Sequence, residues 1–309
     1  MQERINIAVI TITMNDGYKI KEWRQWYNEY KEDIGTLIIV DNKSSDEYQQ
    51  LLKKTFPEAI ILELGYNGGC TRAYNAGIRK ALEDSSVSHI ALVGNDIRIE
   101  PKALVKCAEE LNKETNLGMV APILLNADSN IVADFGCSIN ADLSMNPFGK
   151  DAKYDDIAEQ FRYCDAVTGG MNVSKRSFYE KTVGLQDENL FMYSDEVDMG
   201  LRAKKAGIKM GVLKTAKSWH QHINPQGSSK RHPFSNYLIA RNKVYLGGKH
   251  YGKCKKIKIF NHFIFVNARF LLRCLFTAQW GQLIYPRWAI IGAVNGLVGN
   301  MKDNEYSRL

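Results

Sequence analysis

Five β-branched, apolar runs, at residues 5–13, 36–40, 59–64, 89–93 and 119–125, recur through the first 125 residues with helix-patterned stretches between them. The run at 36–40 is apolar at nearly every position, which fits a strand covered on both faces. The intervening stretches 19–31, 46–54, 71–83 and 101–112 carry helical spacing, the last with Pro101 at its start. This alternation predicts an α/β fold whose mostly parallel central sheet is covered by helices. In such sheets ligands bind beyond the carboxyl ends of the strands. The polar residues just after each run, at 13–16, 41–46, 65–69 and 94–96, are therefore the ones to follow.

Past residue 126 the rhythm loosens. Residues 126–160, rich in Asp, Asn and Ser, read as an excursion, a lid or a hairpin. Residues 163–168 read as a short strand running into Gly169 and Gly170. Ser194 is placed to cap a helix over 195–206, with Lys204 and Lys205 in its last turn and Gly207 as its stop.

Charge is unevenly placed. Residues 249–309 hold ten Lys/Arg against Asp303 and Glu305, a balance of +8, so the remaining chain carries 7 − 8 = −1 of the net +7. A near-neutral body with a basic, aromatic tail argues against nucleic acid and for an anionic surface. The division expected is a catalytic domain over 1–248 and a helical tail over 249–309. In the tail Phe260, Phe263, Ile264, Asn267, Leu271, Cys274 and Leu275 form one helical stripe. No uncharged apolar run of 18 residues is present, so a bilayer span is not expected. The stripe either lies in a membrane interface or packs on the body; both readings stay open. Six cysteines stand far apart without a Cys-x-x-Cys pair, and the N-terminus lacks a leader layout, which predicts a reducing, cytoplasmic setting.

Several constellations can carry chemistry. Asp41 and Asn42, directly after a strand, can hydrogen-bond a nucleobase or ribose, although Asx residues also make turns. Asn67-Gly68-Gly69 before a helix, with Arg72 in its first turn, can cradle a diphosphate on backbone N–H groups; the alternative is a loop needing positive φ. Asp96, in Gly94-Asn95-Asp96, is a strand-end carboxylate suited to a divalent cation. Asp195, Glu196 and Asp198 crowd one helix start: they complement its dipole, or one of them is a general base. His220 and His222 share a face if they lie on a strand, and with Ser228, Ser229 and Arg241 could close over a metal diphosphate.

The order of these parts resembles family 2 glycosyltransferases, particularly the bacterial rhamnosyltransferase-like branch that builds cell-surface polysaccharides. The resemblance runs over residues 5–250. It rests on Asp41-Asn42-x-Ser44-x-Asp46, Asn67-x-Gly69, Asn75-x-Gly77, Asp96 and Gly169-Gly170, then on Asp195-Glu196 before Val197-Asp198-Met199-x-Leu201-Arg202, Trp219-His220 and Tyr237-x-x-x-Arg241-Asn242. It implies the nucleotide-diphospho-sugar transferase fold. Thr11 and Asp41 would hold the nucleoside, Asn67, Gly69 and Arg72 would line the donor beside Gly94 and Asn95, and Arg241 would support the closing segment. Glu196 would be the catalytic base with Asp195 its neighbouring acid. Asp96 and His220 would bind a divalent cation, Mg or Mn. The first acid of the family's Asp-x-Asp motif is Gly94 here, so the ion is weakly held or falls to Asp96, His220 and the diphosphate. The base is assigned by position, since the pair reads Asp-Glu where many relatives read Glu-Asp.

The activity implied is inverting transfer of a sugar, rhamnose favoured, to a hydroxyl of a growing, lipid-linked polysaccharide. The donor expected is dTDP-rhamnose, or else a UDP-sugar, and the place a cytoplasmic one, peripheral on the inner face of the membrane. The rivals are a catalytically impaired nucleotide- or glycan-binding subunit and a sugar nucleotidyltransferase. The second wants a basic group after the first strand, and residues 13–17 contain none.

Overall fold

A computed structural model describes residues 5–168, 170–221 and 233–302. The expected runs are strands β1 (Ile7–Thr13), β2 (Thr36–Asp41), β3 (Ile60–Glu63), β4 (His89–Val93) and β6 (Leu117–Asn126). Between them stand helices α1 (Ile20–Tyr30), α2 (Asp46–Thr55), α3 (Gly69–Leu82) and α4 (Ala103–Lys113). Strands β1 to β4 pair in parallel, with Thr13 opposite Asp41 at the carboxyl edge. On β1, Ile7 and Val9 face the core under α1, α2 and α4, while Ala8 and Ile10 face the core under α3. Each such side chain is fully buried, a contribution of about 1.5–3 kcal/mol apiece for the larger ones.

The second half departs from simple alternation. The strand expected at 163–168 is an edge strand, β10 (Phe161–Cys164), and the central one follows it as β11 (Met171–Lys175), antiparallel between β4 and β6. The full order is β10-β12-β6-β11-β4-β1-β2-β3, where β12 is Lys209–His220. A short β5 (Ile97–Ile99) crosses to pair antiparallel with β12, and β7 (Val132–Asp134) pairs with β6. The excursion carries β7 and a hairpin of β8 (Cys137–Ile139) with β9 (Met145–Pro147). Helix α4 starts two residues after Pro101, because Lys102 sits at φ 68° with its N–H donated to Asp33 Oδ2 at 2.7 Å.

Helix α5 (Asp195–Lys205) precedes β12, and three helices end the described chain: α6 (Phe234–Tyr251), α7 (Lys253–Phe276) and α8 (Ile284–Val298). Helix α6 runs through the expected boundary at 248/249. Its inner face joins the catalytic body, and α8 lies so close that a Cβ on Gly292 would be 2.1 Å from the Tyr237 carbonyl. The predicted α7 stripe does pack inward through Phe260 and Phe263, while Leu275 stays exposed. The opposite face leaves Ile257, Phe265, Leu272 and Phe276 in solvent, and Trp280, past the helix end, is exposed as well. By length and composition α7 is apolar enough to cross a membrane, more than the count of uncharged residues allowed.

Candidate active site

Antiparallel pairing of β5 with β12 builds the first half of the site. It sets His220 opposite Ile97, and the Gln221 N–H donates to the Asp96 carbonyl at 2.9 Å. His220 Nε2 then lies 3.1 Å from Asp96 Oδ2, both side chains half-exposed. Burial opposes ionisation of Asp96, yet the hydrogen bond and charge of His220, with Lys19 behind them, hold its carboxyl below the ordinary range. One carboxylate and one imidazole suit Mg or Mn as a partial ligand set that a diphosphate would complete. No cluster of three such groups occurs among the described residues. His222, Ser228 and Ser229 lie outside the described residues.

The β1–β2 edge is tied to this pair. Asn95 turns away from the cleft surface, is buried, and donates to Asp16 Oδ2 at 2.8 Å and Thr13 Oγ1 at 3.4 Å. Thr13 also meets the Tyr48 hydroxyl at 2.5 Å. Lys19, which the sequence reading passed over, folds back to Asp16 at 3.3 Å and supplies the basic group missing from 13–17. Thr11 is fully buried two residues below the edge, its hydroxyl unpartnered among the described residues, while Thr13 at the edge is buried with its hydroxyl held by Tyr48. Asp41 is fully buried and accepts from the Ser44 N–H and, at 2.7 Å, from Gln49 Nε2. It therefore shapes the loop that follows β2.

The start of α3 corrects the expected phosphate cradle. The Gly68 N–H donates to Asn42 Oδ1 at 2.7 Å and the Gly69 N–H to Asn67 Oδ1 at 3.0 Å. Cys70 and Thr71 donate to the Phe191 carbonyl at 2.7 and 3.2 Å. The four N–H groups a helix leaves open at its start are thus satisfied inside the protein and are not offered to a diphosphate. Gly69 sits at φ 67°, and a Cβ there would lie 2.3 Å from the Phe191 oxygen: the glycine admits a carbonyl, not a ligand. Burial opposes ionisation of Glu188, but Arg79, Asn75 and then the charge of Arg72, half-buried in the same turn, hold its carboxyl below the ordinary range. Gly94 donates its N–H to the Gly170 carbonyl at 2.9 Å.

The acidic helix start forms the second half. Ser194 does not cap α5 with its side chain; Phe191, Tyr193 and Ser194 all hold positive φ, 62°, 68° and 65°. Burial, then the charge of Glu196 and a hydrogen bond to it, push the Asp195 carboxyl well above its ordinary value. Asp195 is thus the member whose proton is held more tightly. The Cys70 thiol is raised by burial and then by Asp195, Glu196 and Asp96, so the three carboxylates share one neighbourhood. Asp134, buried at the end of β7, also feels Glu196 and was not anticipated. Asp198 is not in the site: its carboxylate pairs with Arg202, Lys249 and His250. Arg241 is not a donor contact either. It is fully buried in α6 and holds the carbonyls of Asn189 and Leu190.

A half-parallel sheet that gathers paired carboxylates and an Asp–His couple at its carboxyl edge has the glycosyltransferase A fold. A mannosyltransferase from Pyrobaculum calidifontis, solved with GDP-Man and Mn2+, has that fold at TM-score 0.57, 12% identity, and 96% and 88% coverage of the two chains. Residues 25–146 match the family described as glycosyl transferase family 2. Three curated relatives extend the match. The dTDP-rhamnosyl transferase RfbF of Shigella flexneri is 25% identical over 70% of this chain and 69% of its own. A low-salt glycan biosynthesis hexosyltransferase, Agl10 of Haloferax volcanii, is 22% identical over 85% and 83%. An N-acetylglucosaminyl-diphospho-decaprenol L-rhamnosyltransferase of Mycobacterium tuberculosis is 22% identical over 80% and 85%. The chain is thus similar to family 2 glycosyltransferases over residues 25–146, and more widely to curated hexosyl- and rhamnosyltransferases.

Proposed function

We propose that this enzyme moves a sugar, with inversion, from a nucleoside-diphosphate donor to a hydroxyl of a lipid-linked cell-surface glycan. Rhamnose from dTDP-rhamnose is the favoured donor and a UDP-sugar the other. The observation that carries the reading is the convergence of Asp96–His220 with Asp195–Glu196 around Cys70. Glu196 takes the proton of the acceptor hydroxyl as its oxygen bonds to the anomeric carbon. The bond from that carbon to the diphosphate oxygen breaks, and negative charge grows on the leaving group. One base without a protein nucleophile means a single displacement. Asp96 and His220 would hold the divalent cation, whose charge steadies the departing diphosphate; Lys19 and Arg72 are the nearby cations of the chain itself. The names of the rhamnosyltransferase relatives support the donor, and the decaprenol-linked substrate of one of them supports a lipid-linked acceptor. The exposed apolar face of α7, with no Asp or Glu in residues 249–302, supports attachment to the inner leaflet from the cytoplasmic side.

The test is release of nucleoside diphosphate from a donor panel with acceptor present, comparing wild type with Glu196→Gln. The variant should bind donor normally and lose roughly 10²–10⁴ in rate. Equal rates remove Glu196 from its role, and no release from any donor favours a binding subunit.

A further inference from the structure

Every backbone carbonyl from Asn189 to Tyr193 is held by a named donor. Arg241 Nη2 donates to Asn189 and Leu190 at 3.2 and 3.0 Å. Asn242 Nδ2 donates to Leu190, Met192 and Tyr193 at 3.0, 2.9 and 2.8 Å. The one carbonyl these two leave, that of Phe191, takes the first N–H groups of α3. The segment so held carries Phe191 and Tyr193 at positive φ, and Ser194, also at positive φ, joins it to Asp195 and Glu196. Left-handed backbone at non-glycine positions is unfavourable and persists only where the surroundings over-determine it. Here the surroundings are two adjacent, fully buried polar side chains on α6. Helix α8 fixes them in turn, since a Cβ on Gly296 would lie 2.4 Å from the Arg241 carbonyl.

We propose that Arg241 and Asn242 are positioning residues for the Asp195–Glu196 pair: they hold the 189–193 turn in the one backbone path that aims the pair into the cleft. The C-terminal helices are thereby part of the catalytic machinery although residues 25–146 alone match the family description. The proposal rests on Glu196 being the base. It adds that the base is aimed from α6, through a turn, and not by α5 alone.

The experiment uses the full chain and two readouts. Hydrogen exchange of peptides covering 189–196 should quicken at least about tenfold in Asn242→Ala, with the later turns of α5 unchanged. In turnover, kcat should fall about a hundredfold while KM for donor stays within about threefold, because the base and not the donor has moved. Asn242→Ser, which keeps one donor, should recover part of kcat, and Arg241→Lys should lie between. Should Asn242→Ala fail to fold, the serine and lysine variants carry the same comparison. Unchanged exchange, or kcat and KM shifting by one factor, overturns the proposal. If wild type transfers no sugar from any donor, the proposed function falls, while the exchange arm still decides the clamp.

Discussion

Asp198 Oδ1 lies 2.8 Å from His250 Nε2, joining the first turn of α5 to the end of α6. The same oxygen meets Lys249 Nζ at 2.7 Å, and Oδ2 meets Arg202 Nε at 2.8 Å. Burial opposes the charge, but His250, Arg202 and Lys249 hold the carboxyl down to about 2.

The sign of the resulting pH dependence is fixed. A folded pKa below the unfolded one contributes stability above the ordinary carboxylate range, lost as pH falls from about 4 to about 2. Asp198→Asn should therefore cost on the order of 2 kcal/mol at pH 7, and the gap from wild type should close by about pH 2. Urea melts across that range read it directly; a gap independent of pH would remove the charge from the account.

Asp96 and His220 share the cation's place, so Asp96→Asn should lose the Mn2+-dependent part of nucleoside-diphosphate binding, about tenfold or more, and keep the part seen in chelator. The measurement is thermal shift with dTDP and UDP, with and without Mn2+. Equal metal responses in the two proteins would put the ion elsewhere.

Gly69→Ala meets two obstacles at once, a positive φ of 67° and the Phe191 oxygen at 2.3 Å. A destabilisation of about 1–4 kcal/mol follows. Asn67→Ala removes one acceptor for the Gly69 N–H and should cost about 1 kcal/mol, with donor affinity less affected than by Arg72→Ala. Donor titrations of the two variants decide whether the glycine loop is scaffold or cradle.

Phe276 and Trp280 are 87% and 61% exposed, so replacing both with Asp should leave the melting temperature within a few degrees. Co-sedimentation with anionic vesicles at low salt should drop about tenfold or more, each charge also opposing the lipid surface. Undiminished sedimentation would assign that face to something other than membrane.

The Asp41 loop, Asp96 and the acid pair were legible in the sequence because a strand's carboxyl end and a helix start are local features. For the Gly68–Gly69 loop the sequence left a cradle and a positive-φ turn both open, and the turn is what forms. Its geometry is local, but what fills it, the Phe191 carbonyl, comes from more than 120 residues away. Arg241 was placed at the donor by its motif, and Asp198 was one of three acids at the helix start, while the partners of both sit on other elements. Lys19 and Asp134 carried no signal at all, being single charges whose burial depends on neighbours the chain reaches only when folded.

Alternating apolar runs, through the period of backbone hydrogen bonding, determined a helix-covered parallel sheet and the edge where polar residues would gather. Only tertiary structure decided which of those residues meet. The antiparallel crossing of β5 to β12 brings His220 to Asp96 across 124 positions, and the packing of α6 aims the turn before Glu196. Contacts between distant segments depend on the relative placement of whole elements, a property that no local stretch of side chains encodes.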